Sequence, residues 1–134
     1  MSTMWRVSKF VAIIAAFAAL GIASISVQAK ETRLTAAEIE TAISGNSVKG
    51  QFRGDSYKQY FDPDGSAIYS WLGSQPTLRG KWRVDEAKDQ YCSSFPQWGS
   101  ACYEIYRDGD ALIWVVPGSG QRLPAELLSG KHLY

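Results

Sequence analysis

Histidine occurs once in this chain, as His132, and cysteine twice, as Cys92 and Cys102. A structural zinc site takes about four nitrogen or sulfur ligands, so these residues give no metal site. An excess of one charge is also missing, since 14 basic residues face 13 acidic ones. A dedicated nucleic-acid binder is clearly basic as a rule, and that class of partner is set aside. No nucleophile with its base can be read. In "PGSGQ", Ser119 directly adjoins Gly120, whereas a nucleophile elbow has glycines two positions either side of the serine. No Lys-Ser/Thr follows to make the stretch a phosphate loop. His132 lies near the chain end, where chains fray, which makes it a poor general base. The expectation is a protein without catalytic residues or a cofactor.

What is present begins with an address. Arg6 and Lys9 precede the apolar run "FVAIIAAFAALGIASISV", and Val27 and Ala29 stand at the small-residue positions before a cleavage point. This is the layout of a secretory signal peptide. The alternative is an uncleaved anchor, because the run is close to the ~20 residues of a spanning helix. No cysteine follows directly to carry a lipid. Residues 1–29 are thus expected to direct export to the periplasm or beyond the cell, with no membrane span left after cleavage. Residues 30–134 then form one domain. The signal holds two of the basic residues and none of the acidic ones, so its loss takes the formal charge from +1 to −1.

Aromatic residues make up 13% of the chain, and glycines fall at turn-like places; together they suit a mainly β domain. One short N-terminal helix is expected in "LTAAEIETAIS", with Thr35 and Glu38 as a capping box. Leu34, Ile39 and Ile43 share a face there, and Gly45 ends the helix. From Ser47 the pattern alternates. Pro63 to Gly65 predicts a three-residue hairpin loop, placing Phe61 opposite Ala67 and Tyr57 opposite Trp71. In "TLRGKWRV", Leu78, Gly80, Trp82 and Val84 take one face and Arg79, Lys81 and Arg83 the other. Asp108-Gly109 predicts a two-residue hairpin pairing Ile105 with Leu112 and Tyr103 with Trp114. A turn of helix is expected from Pro124. The fold class is an antiparallel meander of about six strands, barrel-like or half-barrel.

Cys92 and Cys102 enclose "SSFPQWGSA". A dithiol catalyst prefers Cys-x-x-Cys at a helix N-terminus, and here both spacing and context differ. If the two cysteines face each other across a hairpin, Tyr91 faces Tyr103, in agreement with the inner face expected of the next hairpin. A structural disulfide follows, as exported small domains often carry. It would restrain the loop 93–101, whose Phe95, Pro96, Gln97 and Trp98 are candidate partner-binding residues. The competing reading has Phe95 and Trp98 folding back to plug one end of a barrel.

Arg79, Lys81 and Arg83 form a basic row that is a candidate anion site; as a solvated sheet face it would pair with neighbours such as Glu104. Asp62/Asp64 and Asp108/Asp110 flank turns and lack the ligand series of a calcium loop. An outer-membrane barrel is set aside because the basic row cannot face lipid.

Taken with the signal segment, "YFDPDGSAIY", "GKWRVDE", "YCSSFP" and "ACYEIYRDGDALIWV" resemble a group of short exported proteobacterial proteins of uncharacterised function. The resemblance implies a fold and no activity. "GKW" is also similar to the Gly-x-Trp of lipocalin- and avidin-like barrels, where it lies on the first strand; Gly80 and Trp82 lie mid-chain, so no pocket is implied. The function expected is an exported, non-catalytic binding protein meeting a protein or envelope polymer through the 93–101 loop. The alternative is a calycin-like carrier of a small apolar ligand, with Trp71, Trp82, Tyr103 and Trp114 lining its cavity. A hydrolase with an unrecognised site is the weakest reading.

Overall fold

The computed structural model describes residues 31–134 and, before them, Gly21 alone; the expected signal segment otherwise lies outside the described residues. Alternation of apolar and polar residues drives the architecture. Strands β2 (Ser47–Phe52), β3 (Asp55–Phe61), β4 (Ser66–Trp71), β5 (Leu78–Asp85), β6 (Gln90–Phe95), β7 (Gly99–Asp108), β8 (Ala111–Val115) and β9 (Arg122–Leu128) run as an antiparallel meander. Each pairs with the next, and β9 returns to pair with β2 from Gly50↔Ala125 to Ser47↔Leu128. The sheet closes into an eight-stranded up-and-down barrel, which removes free edges from its wall. A two-residue strand β1 (Thr32–Arg33) adds to β7 beyond the end of β6.

The helix α1 (Ala36–Ile43) forms where the capping box places it. Thr35 Oγ1 accepts from the Glu38 backbone N–H at 3.3 Å and donates to Glu38 Oε1 at 3.0 Å. A second cap comes from the β5–β6 turn, where Asp89 Oδ1 accepts from the Ala36 N–H at 2.7 Å. Gly45, at φ 75°, turns the chain out of the helix, and its N–H donates to Phe61 O. Ile39 and Ile43 are wholly buried. They stop one end of the barrel against Val48, Phe61, Trp82, Ile105 and Leu112.

The Pro63–Gly65 loop and its register are as expected, with Phe61↔Ala67 and Tyr57↔Trp71. Asp64 Oδ1 accepts from the Ser66 N–H at 2.7 Å, and Asp62 Oδ1 from the Asp64 N–H at 3.0 Å, so both carboxylates serve the turn. Cys92 and Cys102 are bonded and directly opposed, with Tyr91 facing Tyr103.

Four expectations are corrected. The strands number eight in the barrel rather than about six, because the Arg53-Gly54 turn and the C-terminal strand carry weak signals. The β7–β8 hairpin turns on Gly109-Asp110, so Ile105 faces Trp114 and Arg107 faces Leu112. This displacement of two residues leaves the inner face unchanged, since side chains alternate with period two. The segment after Pro124 is strand β9, not helix. The β2–β9 ladder ends at Ala125, so the missing N–H of Pro124 falls just past it. Finally, the C-terminal segment does not fray. Ser47 Oγ donates to Gly130 O and accepts from the His132 N–H, both at 2.8 Å, and Ser70 Oγ accepts from the Tyr134 N–H at 3.0 Å. The Lys58 ammonium lies 4.3 Å from the Tyr134 ring centroid. The segment is strapped to the outer face of β2, β3 and β4.

Candidate functional site

With α1 at one end, the turns 53–54, 72–77, 96–98 and 116–121 surround the other end. The inward positions there are uneven in size. On β6 and β7, Ser93 faces Ala101 and Phe95 faces Gly99. On β2 and β9, Gly50 faces Ala125. Large residues complete the inner surface: Tyr57, Gln59 and Tyr69 from β3 and β4, Tyr91 and Tyr103 from β6 and β7, and Trp114 from β8. Small against large is what fills a tapering barrel, but on the β6–β7 wall the rings do not take up all the space. A cavity of about 310 Å³ remains, opening between the turns. That is at the lower end of the ~300–1,000 Å³ of small-molecule sites.

Its floor and sides are held firmly. The Tyr57 and Tyr69 rings stack at 4.6 Å with 18° between planes. Gln59, buried, donates from Nε2 to Tyr91 Oη at 3.1 Å, which fixes the amide and the phenol together. Phe61 separates cavity from helix, packing edge-on against Tyr91 at 5.6 Å and face-on over Trp114 at 6.4 Å. The polar groups in the walls are therefore phenols, a serine and amides set in an aromatic lining. Burial pushes the Tyr57 phenol up to about 12 and raises Tyr69, Tyr91 and Tyr103 as well. All four keep their protons at neutral pH and present O–H groups, not charge. At the mouth, Arg53 is the one charged residue of the lining, with its guanidinium 5.2 Å from the Phe52 ring centroid.

The residues singled out from sequence are dispersed. The loop 93–101 is mostly ladder: only Pro96, Gln97 and Trp98 stand between the strands, and the disulfide lies along the hairpin rather than at a loop base. Phe95 is turned inward and 4% exposed, so it contributes to the core. Trp98 is 51% exposed, yet its ring meets Tyr69 edge-on at 5.1 Å and Phe95 at 5.3 Å. It forms part of the rim of the cavity. Of the four aromatics expected around a cavity, Tyr103 and Trp114 line it; Trp71 and Trp82 do not. Trp82 belongs to the helix end, where its Nε1–H donates to Asp62 O at 2.8 Å.

Arg79, Lys81 and Arg83 point outward and are exposed. Lys81 and Arg83 border an outer groove with Asp64 and the disulfide, and Arg79 stands apart from it. Glu104 is not their partner; it pairs with Arg33 at 3.5 Å, because β1 places that arginine alongside β7. Charges on the outer face and aromatics within are the reverse of a lipid-embedded barrel. Among the described residues, no helix is long and apolar enough to cross a membrane.

Sequence reasoning missed Tyr57, Gln59, Ser93, Ala101 and Arg53 as a set. The available signal was the run of small residues at alternate positions around the Cys92–Cys102 pair, which implies unfilled volume once the barrel closes. No family model matches the chain, and no curated protein matches it in sequence.

Proposed function

We propose that this protein is an exported, non-catalytic binding protein that takes one small, flat, largely apolar molecule into the open end of its barrel. The observation that carries the reading is the aromatic cavity of about 310 Å³, stopped by α1 and Phe61 at one end and open at the other. Eight strands enclose an interior that side chains just fill or that holds one small ligand, and here the inner wall of Ser93, Gly99 and Ala101 leaves room. Among the described residues, the lining holds no His, Cys, Asp, Glu or Lys, so the cavity they form has hydrogen-bond donors and stacking faces but no acid–base pair. Export is supported by the signal-like residues 1–29 together with the disulfide, which persists in oxidising compartments such as the periplasm.

The test is a titration of the purified protein with N-phenylnaphthylamine, an uncharged fluorescent aromatic, alongside native mass spectrometry of protein taken directly from its source. Saturable one-to-one fluorescence that is lost in Ala101→Phe, with the melting temperature of that variant maintained, supports the reading. No saturable binding, with no co-purified small molecule, ends it.

A macromolecular partner is the second reading, favoured by one observation. Trp98 at 51% and Leu72 at 63% exposure are large apolar side chains on turns at the same end of the barrel. A partner there would cover the cavity mouth, so its binding would compete with the fluorescent probe.

A further inference from the structure

We propose that Arg53 selects the ligand, which carries an anionic head group beside its flat apolar body. This rests on the cavity reading above and names the chemical class that the cavity accepts.

Three observations converge on Arg53. Among the described residues it is the one charged member of a lining otherwise made of phenols, indoles, phenyl rings, amides, small residues and Leu123. Arg53 is exposed, and its guanidinium lies 5.2 Å from the Phe52 ring centroid, so a planar, solvent-accessible cation is held beside a ring of the mouth. Among the described residues, no carboxylate forms an ion pair with it; the ion pairs found are Arg33–Glu104 and Arg122–Glu31. An arginine beside an aromatic cavity with its five donors uncommitted to a carboxylate is a ready receptor for a carboxylate, sulfonate or phosphate.

The backbone adds an independent argument. Arg53 and Gly54 are the two central residues of the β2–β3 hairpin, at φ 51° and 85°. A two-residue turn with positive φ at both positions favours Asn-Gly or Asp-Gly, and a long side chain in the left-handed region is disfavoured. Arginine stands here against the local preference of the turn. Strained residues of this kind cluster where the side chain has a task, and the task that this position allows is contact with whatever occupies the mouth.

A cationic ligand is disfavoured by the same geometry. The aromatic walls alone would suit a quaternary ammonium, but Arg53 at the opening repels it, and no acid in the lining offsets that repulsion. With the body of the ligand among Tyr57, Tyr69 and Trp114, its head lies at the level of the β2–β3 turn.

The experiment compares N-phenylnaphthylamine with anilinonaphthalene sulfonate, the same ring system bearing a sulfonate. Displacement of one by the other establishes a single shared site. The native protein is expected to bind the sulfonated probe tighter by about tenfold, the gain expected of a charge-assisted hydrogen bond. In Arg53→Asn that ratio falls to about one, while the melting temperature holds or rises because Asn-Gly suits the turn. Arg53→Lys retains part of the preference. Equal affinity for both probes in the native protein overturns the assignment of an anionic head group and leaves the cavity reading intact. A preference that survives in Arg53→Asn overturns the role of Arg53. If neither probe binds at a saturable site, the cavity reading fails and this inference fails with it.

Discussion

The ring of Phe95 occupies the space where a side chain on Gly80 would stand. A Cβ added to Gly80 falls 2.6 Å from Phe95 Cδ1 and closer still to the Ser94 carbonyl oxygen. Gly80 is not in the left-handed region, so its role is close approach rather than turn geometry. The bare backbone of β5 lets Phe95 lie flat beneath the cavity rim. Gly80→Ala is therefore expected to destabilise by about 1–3 kcal/mol, the range for overpacking a tight site. Urea denaturation monitored by tryptophan fluorescence measures this directly, and an unchanged midpoint would show that β5 and β6 separate at no cost.

Trp82 fixes the opposite end. Its indole N–H donates to Asp62 O at 2.8 Å, and its backbone N–H donates to Gly65 O at 2.9 Å. Trp82→Phe keeps most of the apolar contact with Phe61 but leaves the Asp62 carbonyl without its side-chain donor. A loss of about 1–2 kcal/mol is expected, against about 3–5 kcal/mol for Trp82→Ala. A cost for Phe as large as that for Ala would mean that the hydrogen bond, not the packing, dominates.

The disulfide joins residues ten apart in sequence. On the chain-entropy account, closing a loop of that size stabilises by roughly 3 kcal/mol. The Cys92→Ala/Cys102→Ala variant is expected to lose about that much while keeping its circular dichroism spectrum at room temperature, because the strand ladder on both sides is complete. Retention of full stability by the variant would indicate that the hairpin is already restrained in the unfolded chain.

The interior phenols set an alkaline limit. Tyr57 titrates at about 12 in the folded protein because burial disfavours the phenolate, against about 10 in the unfolded chain. Below the unfolded value both states keep the proton and stability does not depend on this group. Between the two values the unfolded state has released its proton and the folded state has not, so rising pH favours unfolding. Tyr69, Tyr91 and Tyr103 act in the same direction. The melting temperature should be level to about pH 10 and fall steeply above it. Near-ultraviolet phenolate absorbance should show part of the tyrosine signal appearing only with unfolding. A smooth titration of all tyrosines with no loss of structure would show that the cavity phenols are reached by solvent.

Much of the wall was legible in the sequence because alternation is a local signal. Leu78, Gly80, Trp82 and Val84 declare an inner face by themselves, and the Cys92–Cys102 pair sets a register that no other contact needs to supply. The Asp108-Gly109 signal named the right hairpin but the wrong central pair, since Gly109 at φ 59° serves as the first turn residue instead of the second. Arg53-Gly54 is a weak turn signal because arginine is a poor residue for such a turn, and the division between β2 and β3 is hidden with it. The cavity itself was not legible. It depends on which side chains meet across the barrel, and Gly50 beside Tyr57 or Ser93 beside Ala101 becomes meaningful only after β9 returns to β2.

That return also sets the order of events as the chain folds. The seam joins the first barrel strand to the last, the pairing most remote in sequence, and remote pairings form slowly. Until β9 is delivered, β2 and β8 each present a row of unsatisfied amides and carbonyls along one side. A partly synthesised copy is thus the species most able to pair with another of its kind. Its danger ends at one step, when Gly50 finds Ala125 and the wall becomes continuous.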